Sequence, residues 1–309
     1  MQTLPDPSYH QTSFHIRTLK RGPAAAGPLS HFTHTSCTAL AVSVPAPYIS
    51  QHTIHYCNIN SLRNKYQSLE ETLTRFPSTA ILSLSETKTD SSIMRSFRNY
   101  NTLSFPHTAT SSGLAVIYHS SVPVVSWKEN GDGSDAPFNE QGNMVIRLQA
   151  SMFRGFRFFL CIAYLKPSCP MRAFERAWQY IRKVVELGAP VLILGDFNAR
   201  HREFGDPRRS NARGVELLRI CDDLNLTILN IADTWQQPTR PSSGSVVDLA
   251  ITNRPDIFAL RIGLLPLPSD HATLSVMVRA SVAAPAPQVS LLPPRWRTRK
   301  VDWELYNSQ

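Results

Sequence analysis

The chain has 309 residues, of which 42% are hydrophobic and 18% are charged, values typical of a soluble globular protein with one large domain or two ordinary ones. Lys and Arg outnumber Asp and Glu by 32 to 23, and the formal net charge of +9 favours a polyanionic partner, nucleic acid first and an anionic membrane surface second. The five cysteines are scattered, so neither a disulfide framework nor a zinc site is indicated and a reducing compartment is favoured. No apolar stretch has the length of a membrane span, and the N-terminus lacks the pattern of a secretory signal.

The first part of the chain, residues 1–51, is rich in Pro, Ser, Thr, Ala and His, and it shows no hydrophobic period. This composition predicts a disordered arm. A transit peptide is the alternative, because Arg17, Lys20 and Arg21 occur there among Ser and Thr.

The next stretch predicts a β-α-β unit. The strand 53–60 leads to a helix that we expect Ser61 to cap and Pro77 to end, with apolar residues at helical spacing. The strand 80–85 follows and delivers Glu86. Because the two strands are predicted to be parallel neighbours, Asn58 and Glu86 should lie at the same edge of the sheet.

Several β-rich runs follow without a strong helix between them. They are predicted as strands 113–118, 122–127, 143–148 and 156–164, and the last of them ends at Tyr164. A helix with Phe174 and Trp178 on its apolar face precedes Gly188 and Pro190.

The run 191–198 predicts a buried central strand that ends in Gly-Asp-Phe-Asn. Asp196 and Asn198 are separated by one residue, so both would project to the same side of an extended chain. A carboxylate beside an amide suits the activation of water next to a phosphate. The alternative is purely structural, with Asp196 beginning an Asx-turn.

The remaining elements complete one domain, which we predict to span residues 52–280. An Arg-rich loop, 201–213, precedes a helix at 214–224 and strands at 226–229, 245–251, 257–265 and 272–278. Because most strands follow one another with few helices between them, we predict an α/β (α+β) fold with two mixed β-sheets packed face to face and helices outside. Residues 281–309 are predicted to be a Pro/Ala linker and a basic tail containing Trp296.

Polar residues follow or end many of these apolar runs, as expected for a site built by loops on a rigid scaffold. Carboxylates with nearby amides suit a hard divalent ion, Mg²⁺ with Mn²⁺ as a substitute, and such a set can hydrolyse a phosphodiester. The residues are Asn58, Asn60, Glu86, Tyr164, Asp196, Asn198, Ser245, Asp248, Asp270 and His271.

The ordered blocks Asn-x-Asn, Glu-Thr, Tyr, Gly-Asp-Phe-Asn, Ser-x-x-Asp and Ser-Asp-His resemble the endonuclease/exonuclease/phosphatase superfamily, whose fold is a DNase I-like four-layer sandwich. Within it, the chain looks most like the apurinic-type endonuclease domain of jockey-like non-LTR retrotransposons. The supporting details are Asn-Ile-Asn-Ser-Leu at 58–62, Asn-Ala-Arg-His at 198–201, Asn-Ala-Arg-Gly at 211–214 and Val-Val-Asp-Leu-Ala-Ile at 246–251. We therefore expect a fragment of such a polyprotein that ends before the reverse transcriptase.

The resemblance implies roles for the matched residues. Glu86 would be the main metal ligand, assisted by Asn58 and Asp270. Asp196 would be the general base. The other roles that it implies are phosphate or water contact and orientation for Asn198, Tyr164, His271 and Asp248, and a position next to the phosphate for Ser245. Arg200 and Arg213 are expected to bind the substrate because an Arg-rich loop beside a nuclease site can grip the DNA backbone, with a solvated loop as the alternative. Asn60 either binds substrate or begins the helix with Ser61.

Two departures from the family pattern matter. Asn60 stands where apurinic endonucleases carry Asp, which puts a second metal position in doubt, and residues 165–168 replace a shorter turn bearing Asn.

The resulting hypothesis is a Mg²⁺-dependent endonuclease that nicks double-stranded DNA in the nucleus and leaves a 3′-hydroxyl for target-primed reverse transcription. RNA of the parent element is a further candidate partner and the cytoplasm a further candidate location, whereas secretion, a membrane partner and a small-molecule cofactor are not expected. The alternatives are a phosphatase acting on phosphoinositides or other small phosphate esters, and an inactive remnant that binds nucleic acid.

Overall fold

The computed structural model describes residues 52–90, 95–108, 112–127, 137–152, 155–231 and 237–279. The predicted arm 1–51 and the linker and tail 281–309 lie outside the described residues, so the predicted domain boundaries stay predictions.

Thirteen strands of the described residues form two mixed sheets. The six-stranded sheet has the order β12-β13-β1-β2-β4-β3, and the seven-stranded sheet has the order β10-β11-β9-β8-β7-β5, with β6 also pairing with β7. The strands are β1 (Thr53–Asn58), β2 (Thr79–Ser85), β3 (Tyr100–Phe105), β4 (Leu114–His119), β5 (Val124–Ser126), β6 (Phe138–Glu140), β7 (Asn143–Met152), β8 (Phe156–Tyr164), β9 (Val191–Asp196), β10 (Thr227–Ile228), β11 (Asp248–Thr252), β12 (Phe258–Ile262) and β13 (Leu274–Val278).

Each sheet contains one parallel pair connected through a helix. Helix α1 (Tyr66–Arg75) connects β1 to β2, and helix α2 (Met171–Val185) connects β8 to β9. Helix α3 (Ala212–Asp223) lies between β9 and β10 in the sequence. Parallel neighbours end at the same edge of a sheet, which brings Asn58 opposite Ser85 and Tyr164 opposite Asp196.

Three apolar clusters hold the layers together. The central cluster joins the inward faces of the two sheets, with residues such as Ile54, Ile162 and Leu194. A second cluster packs α2 and α3 on the outer face of the seven-stranded sheet, and a third packs α1 on the outer face of the other sheet. This is the predicted DNase I-like sandwich of two mixed sheets with helices outside, and the fold prediction is confirmed.

Gly195 explains how β9 fits beside β8. A Cβ atom added at this position would lie 2.4 Å from the carbonyl oxygen of Ala163, which is closer than a side chain can approach. Glycine therefore allows the two parallel strands to pack closely, immediately before the residue that β9 delivers, Asp196.

The structure corrects two details of the sequence analysis. Ser61 does not cap α1; the helix begins at Tyr66, while the Ser61 hydroxyl accepts a hydrogen bond from Arg63 N in a turn where Asn60 and Ser61 have positive φ. The short strands β3 and β6 were not predicted, because neither has a clear hydrophobic alternation.

None of the helices in the described ranges is both long and apolar enough to cross a membrane.

Candidate active site

A cleft of about 200 Å³ opens where β1, β2 and β9 end. Antiparallel strands reach the same edge with their first residues, so β11 and the loop before β13 also contribute side chains. The lining is almost entirely polar: Asn58, Asn60, Glu86, Pro167, Asp196, Asn198, Arg240, Asp270 and His271.

The β1–β2 side of the cleft is a network of amides and charges. The buried Asn58 amide donates to Glu86 Oε1 at 2.9 Å and to Asp196 Oδ2 at 3.1 Å, so one side chain connects the two carboxylates. Lys88 Nζ lies 2.9 Å from Glu86 Oε2 and donates to Asn60 Oδ1 at 2.7 Å. Glu86 and Asn60 have φ values of 50° and 47°, which non-glycine residues rarely adopt, so the network holds backbone that is strained at the site.

The β9 side is built around Asp196. Its backbone N–H donates to the Tyr56 hydroxyl at 2.7 Å, and that hydroxyl shares a 2.7 Å hydrogen bond with Ser85 Oγ. Asp196 Oδ1 accepts the backbone N–H of Asn198 at 3.0 Å, which is an Asx-turn. The Asx-turn that the sequence offered as a structural alternative is therefore present. Asp196 and Asn198 nevertheless both line the cleft.

His271 and Asp248 form a buried pair beside Asp196. His271 Nδ1 lies 2.7 Å from Asp248 Oδ2, and both residues are less than a tenth exposed. Thr239 Oγ1 accepts the backbone N–H of Asp248 at 3.0 Å and so fixes the start of β11. Asp248 is directly opposite Asp196 in the antiparallel ladder, which places two carboxylates on neighbouring strands.

Asp270 closes the opposite lip of the cleft. Its Oδ1 accepts from Asn60 Nδ2 at 3.3 Å, and its Oδ2 pairs with Arg240 Nη2 at 3.3 Å. Arg240 is the one Lys or Arg side chain among the described residues that line the cleft.

The environments of Glu86 and Asp196 shift their pKa values in opposite directions. Burial alone raises the pKa of Glu86, but hydrogen bonds from Asn58, Lys88 and Tyr164 outweigh it and leave the pKa below its ordinary value. Burial and then the charge of Asp248 raise the pKa of Asp196 well above its ordinary value. Glu86 is therefore the carboxylate that holds negative charge, and Asp196 is the one with the higher proton affinity.

The pairing of His271 with Asp248 favours the protonated form of its ring. Burial lowers its pKa, but the hydrogen bond from its ring to Asp248 and the charge of that carboxylate outweigh the burial and raise the pKa to about 9. An imidazolium has no lone pair for a metal, so His271 is suited to contact an anion.

The donor set fits a hard divalent cation. Glu86 and Asp270 bring carboxylate oxygens to one cleft, with amide side chains of Asn58 and Asn60 beside them, and Mg²⁺ and Mn²⁺ prefer such oxygen ligands. A second group, Asp196, Asp248 and His271, has potential ligand atoms within 4.8 Å of one another. We favour the first set, because His271 is protonated and uses Nδ1 for Asp248.

Five residues predicted for the site do not line the cleft. One of them is the fully buried Asp248, which contacts His271 Nδ1. Tyr164 is 5% exposed and hydrogen-bonds Glu86, so it lies behind that carboxylate. The buried Ser245 binds Ser243 Oγ at 2.6 Å, and Arg213 donates to the carbonyl oxygens of Lys166 and Pro167 in the wall of the cleft. Arg200 is placed by a hydrogen bond from its backbone N–H to Asn211 Oδ1.

Sequence reasoning missed Tyr56, Lys88, Thr239 and Arg240. Lys88 follows Glu86 by two residues, so its proximity to the site was readable from the sequence. Arg240 and Thr239 precede Asp248 in a Pro-containing loop, where the sequence carries no periodic signal. Tyr56 reads as an ordinary core residue of β1, and only the packing of the two sheets brings its hydroxyl to Asp196 N.

The fold and the cleft together define the structural class of the protein. It is a DNase I-like sandwich in which polar side chains meet at the ends of the central strands. Residues 158–275, less than half of the chain, match the family model described as "Endonuclease-reverse transcriptase". A sequence comparison with curated proteins finds no match.

Solved structures share the fold at low sequence identity. The endonuclease domain of TRAS1, a telomere-specific non-LTR retrotransposon, is 17% identical with a TM-score of 0.55 and covers 74% of this chain and 98% of its own. The AP endonuclease LMAP from Leishmania major is 13% identical with a TM-score of 0.56, over 74% and 88% of the two chains. The catalytic domain of Xenopus laevis APE2 is 18% identical with a TM-score of 0.51, over 73% and 91%. The family match and the shared fold support the endonuclease/exonuclease/phosphatase superfamily.

Proposed function

We propose that this protein is a Mg²⁺-dependent endonuclease that hydrolyses a phosphodiester bond of double-stranded DNA and leaves a 3′-hydroxyl. We further propose that it derives from a jockey-like non-LTR retrotransposon polyprotein and acts in the nucleus, where such a hydroxyl would prime reverse transcription. The family match over residues 158–275 and the fold shared with the TRAS1 endonuclease domain support this assignment.

The observation that carries the proposal is the pairing of two unlike carboxylates in one cleft. Asp196 has a raised pKa, so its carboxylate is a stronger base than an ordinary Asp and suits the removal of a proton from an attacking water. Asn198 lines the cleft beside it and would orient that water. The Asn58 amide donates to both Glu86 and Asp196 and so fixes the position of the two carboxylates relative to each other.

His271 supplies the positive charge on the same side. Asp248 fixes its ring through Nδ1, which leaves Nε2–H to donate to a phosphate oxygen in the cleft. A preformed cation of this kind stabilises the charge that grows on a phosphate during attack.

Glu86 and Asp270 would hold the metal, with Asn58 near them, and the bound ion would neutralise the phosphate and the leaving oxygen. Lys88 and Arg240 now partner these two carboxylates, so the chain's own cations balance the charge there. Metal binding would require both ion pairs to loosen.

The test is nicking of supercoiled plasmid with Mg²⁺ by the purified full chain and by the variants Asp196→Ala and Glu86→Gln. We expect the wild-type protein to convert supercoiled to open circular plasmid and both variants to lose this activity by at least about a hundredfold. An exposed substitution remote from the cleft, Arg219→Gln on α3, is the control and should nick like the wild type.

Wild-type protein that leaves the plasmid intact would overturn the proposal, as would variants that nick equally well. Release of inorganic phosphate from inositol phosphates without plasmid cleavage would instead identify a phosphatase. Salt-sensitive DNA binding without any metal-dependent turnover would identify an inactive remnant.

A further inference from the structure

Two arginines, Arg208 and Arg240, meet at one turn on the rim of the cleft, and Arg240 itself lines the cleft. Arg240 reaches Asp270 inside the cleft, whereas Arg208 Nη2 donates to the carbonyl oxygen of Ser243 at 2.7 Å. Ser243 N in turn donates to the carbonyl oxygen of Arg240 at 3.1 Å, so Arg240 belongs to the turn that Arg208 contacts, residues 240–244. Both arginines are exposed.

A buried carboxylate ties the loops that carry these arginines to each other. Asp206 is 1% exposed, and its two oxygens accept the backbone N–H groups of Arg208 at 2.8 Å and Val246 at 2.9 Å. The loop 201–211 is therefore fixed to the strand that leads into β11. Thr239, which is fully buried, anchors the other end of the turn through Ala272 N and the start of β11. The rim is preformed rather than shaped by a ligand.

The guanidinium groups retain donors for an anion. Each guanidinium has five N–H donors, and the contacts found for the described residues use one nitrogen of Arg208 and one of Arg240. Within the described ranges no carboxylate pairs with Arg208, and the single carboxylate contact of Arg240 is long, at 3.3 Å. Three carboxylates, Glu86, Asp196 and Asp270, line the cleft, and cationic side chains at the rim assist the approach of an anionic substrate to them.

We propose that Arg208 and Arg240 form a second phosphate subsite, which binds the phosphate next to the one that is cleaved. The inference rests on the proposed nuclease function and deepens it, because it makes the substrate a polynucleotide. A small phosphate ester has no neighbouring phosphate to reach the rim and would gain nothing from Arg208. The predicted binding residue Arg213 differs in this respect, because its guanidinium donates to the carbonyl oxygens of the wall.

The experiment measures binding and cleavage with the full chain and three variants, Arg208→Gln, Arg240→Gln and Arg182→Gln. Arg182 is the charge-matched control, because it lies in the last turn of α2, which leads to the start of β9, while the cleft is at the end of that strand. Binding of a fluorescein-labelled DNA duplex is followed by anisotropy in EDTA at several salt concentrations. Cleavage of the duplex and of bis(p-nitrophenyl) phosphate, a diester with one phosphate, is followed with Mg²⁺.

We expect each rim substitution to weaken duplex binding by about tenfold and to reduce the slope of log K against log salt by about one, whereas Arg182→Gln should match the wild type. The KM for duplex cleavage should rise about as much, and the loss on the small diester should be several times smaller.

Rim variants that keep the wild-type affinity and salt slope would overturn the subsite. Equal losses on the duplex and on the small diester would also overturn it, because the arginines would then act on the reacting phosphate. A wild-type protein that cleaves neither substrate, but whose rim variants change the salt slope as expected, would refute the proposed nuclease and leave the subsite standing.

Discussion

The two parallel strand pairs make the instructive comparison within this molecule. In both, a strand, a helix and a parallel strand bring polar residues to the end of the sandwich where the cleft lies. Asn58 and Glu86 come from β1 and β2 and line the cleft, as does Asp196 from β9, whereas Tyr164 from β8 lies behind Glu86. The two strand pairs share this topology, but the surroundings of their carboxylates differ. Glu86 is surrounded by donors, including an ammonium group, whereas Asp196 is more deeply buried and opposite another carboxylate.

This difference shows how one local fold can produce two kinds of carboxylate. Donors lower the pKa of Glu86 and keep its charge available for a cation, while burial and Asp248 raise the pKa of Asp196 and favour proton transfer. Carboxylates whose environments push their pKa values apart are the usual arrangement where one acts as a charge and the other as a base.

The largest effects are expected when each carboxylate is neutralised in turn and the Mg²⁺ concentration is varied, which tests whether the two carboxylates have different roles. Asp196→Asn should lower the nicking rate by about a thousandfold at every Mg²⁺ concentration, because the base itself is lost. Glu86→Gln should lose metal affinity by about 10- to 100-fold and recover part of its rate as Mg²⁺ rises. Nicking rates measured across a range of Mg²⁺ concentrations separate the two outcomes.

The matched control for this experiment is Glu140→Gln. Glu140 is a carboxylate that pairs with Arg176 and does not line the cleft. Recovery of Asp196→Asn at high Mg²⁺, or identical metal profiles for both cleft variants, would contradict the division of roles.

Much of this comparison could be read from the sequence, since apolar runs that end in polar residues predict which side chains lie at the edges of sheets. That reasoning placed Asn58, Glu86 and Asp196 at strand ends, and the structure brings all three to one cleft together with Asp270 and His271. Their chemical roles stay predictions until they are measured.

What the sequence could not give is the partner of each group. The pairings of Arg240 with Asp270 and of Tyr56 with Asp196 N join residues 30 and 140 positions apart, and they depend on how loops and sheets pack. The start of α1 was also missed, because Ser61 and Asn60 adopt left-handed backbone that no propensity predicts for them.

A second prediction concerns the hydroxyl that connects the two strand pairs. Tyr56 belongs to β1, but its hydroxyl accepts the backbone N–H of Asp196 at the end of β9. Tyr56→Phe should lower the free energy of unfolding by about 2 kcal/mol, because a buried N–H and the Ser85 hydroxyl lose their partner. Urea denaturation measures the change.

Tyr100→Phe is the matched control for this substitution. The Tyr100 hydroxyl donates one hydrogen bond, to the Thr79 carbonyl oxygen at 3.2 Å, from a half-buried position at the sheet edge, so its loss should cost less than about 1 kcal/mol. If the two substitutions lower the free energy of unfolding equally, the hydrogen bond between Asp196 N and the Tyr56 hydroxyl stabilises the fold no more than an ordinary hydroxyl contact does.

The smallest expected effect is a pH dependence of the free energy of unfolding that arises in the first strand pair, β1 and β2. The first pair carries a buried histidine, His55, whose Nδ1 lies 2.8 Å from Ser275 Oγ, and burial lowers its pKa from 6.5 to about 4. A folded-state pKa below the unfolded value means that the unfolded chain binds more protons between pH 6.5 and 4. The stability is therefore complete above pH 6.5 and is lost as the pH falls through this window. Going from pH 7.5 to 5.5, His55 should account for about 1.3 kcal/mol of lost stability.

The measurement is urea unfolding at pH 7.5 and 5.5 for the wild type and for His55→Gln, which cannot titrate. Other groups, including His271 and Asp196, contribute equally to both proteins, so the difference between the two pH dependences isolates His55. The variant should be less stable at pH 7.5 because a buried contact is lost, but it should be less sensitive to acid than the wild type. An equal loss of stability in both proteins would show that His55 takes up no proton on unfolding, and the acid sensitivity would then belong to carboxylates whose pKa is lowered by folding, such as Glu86 and Asp270.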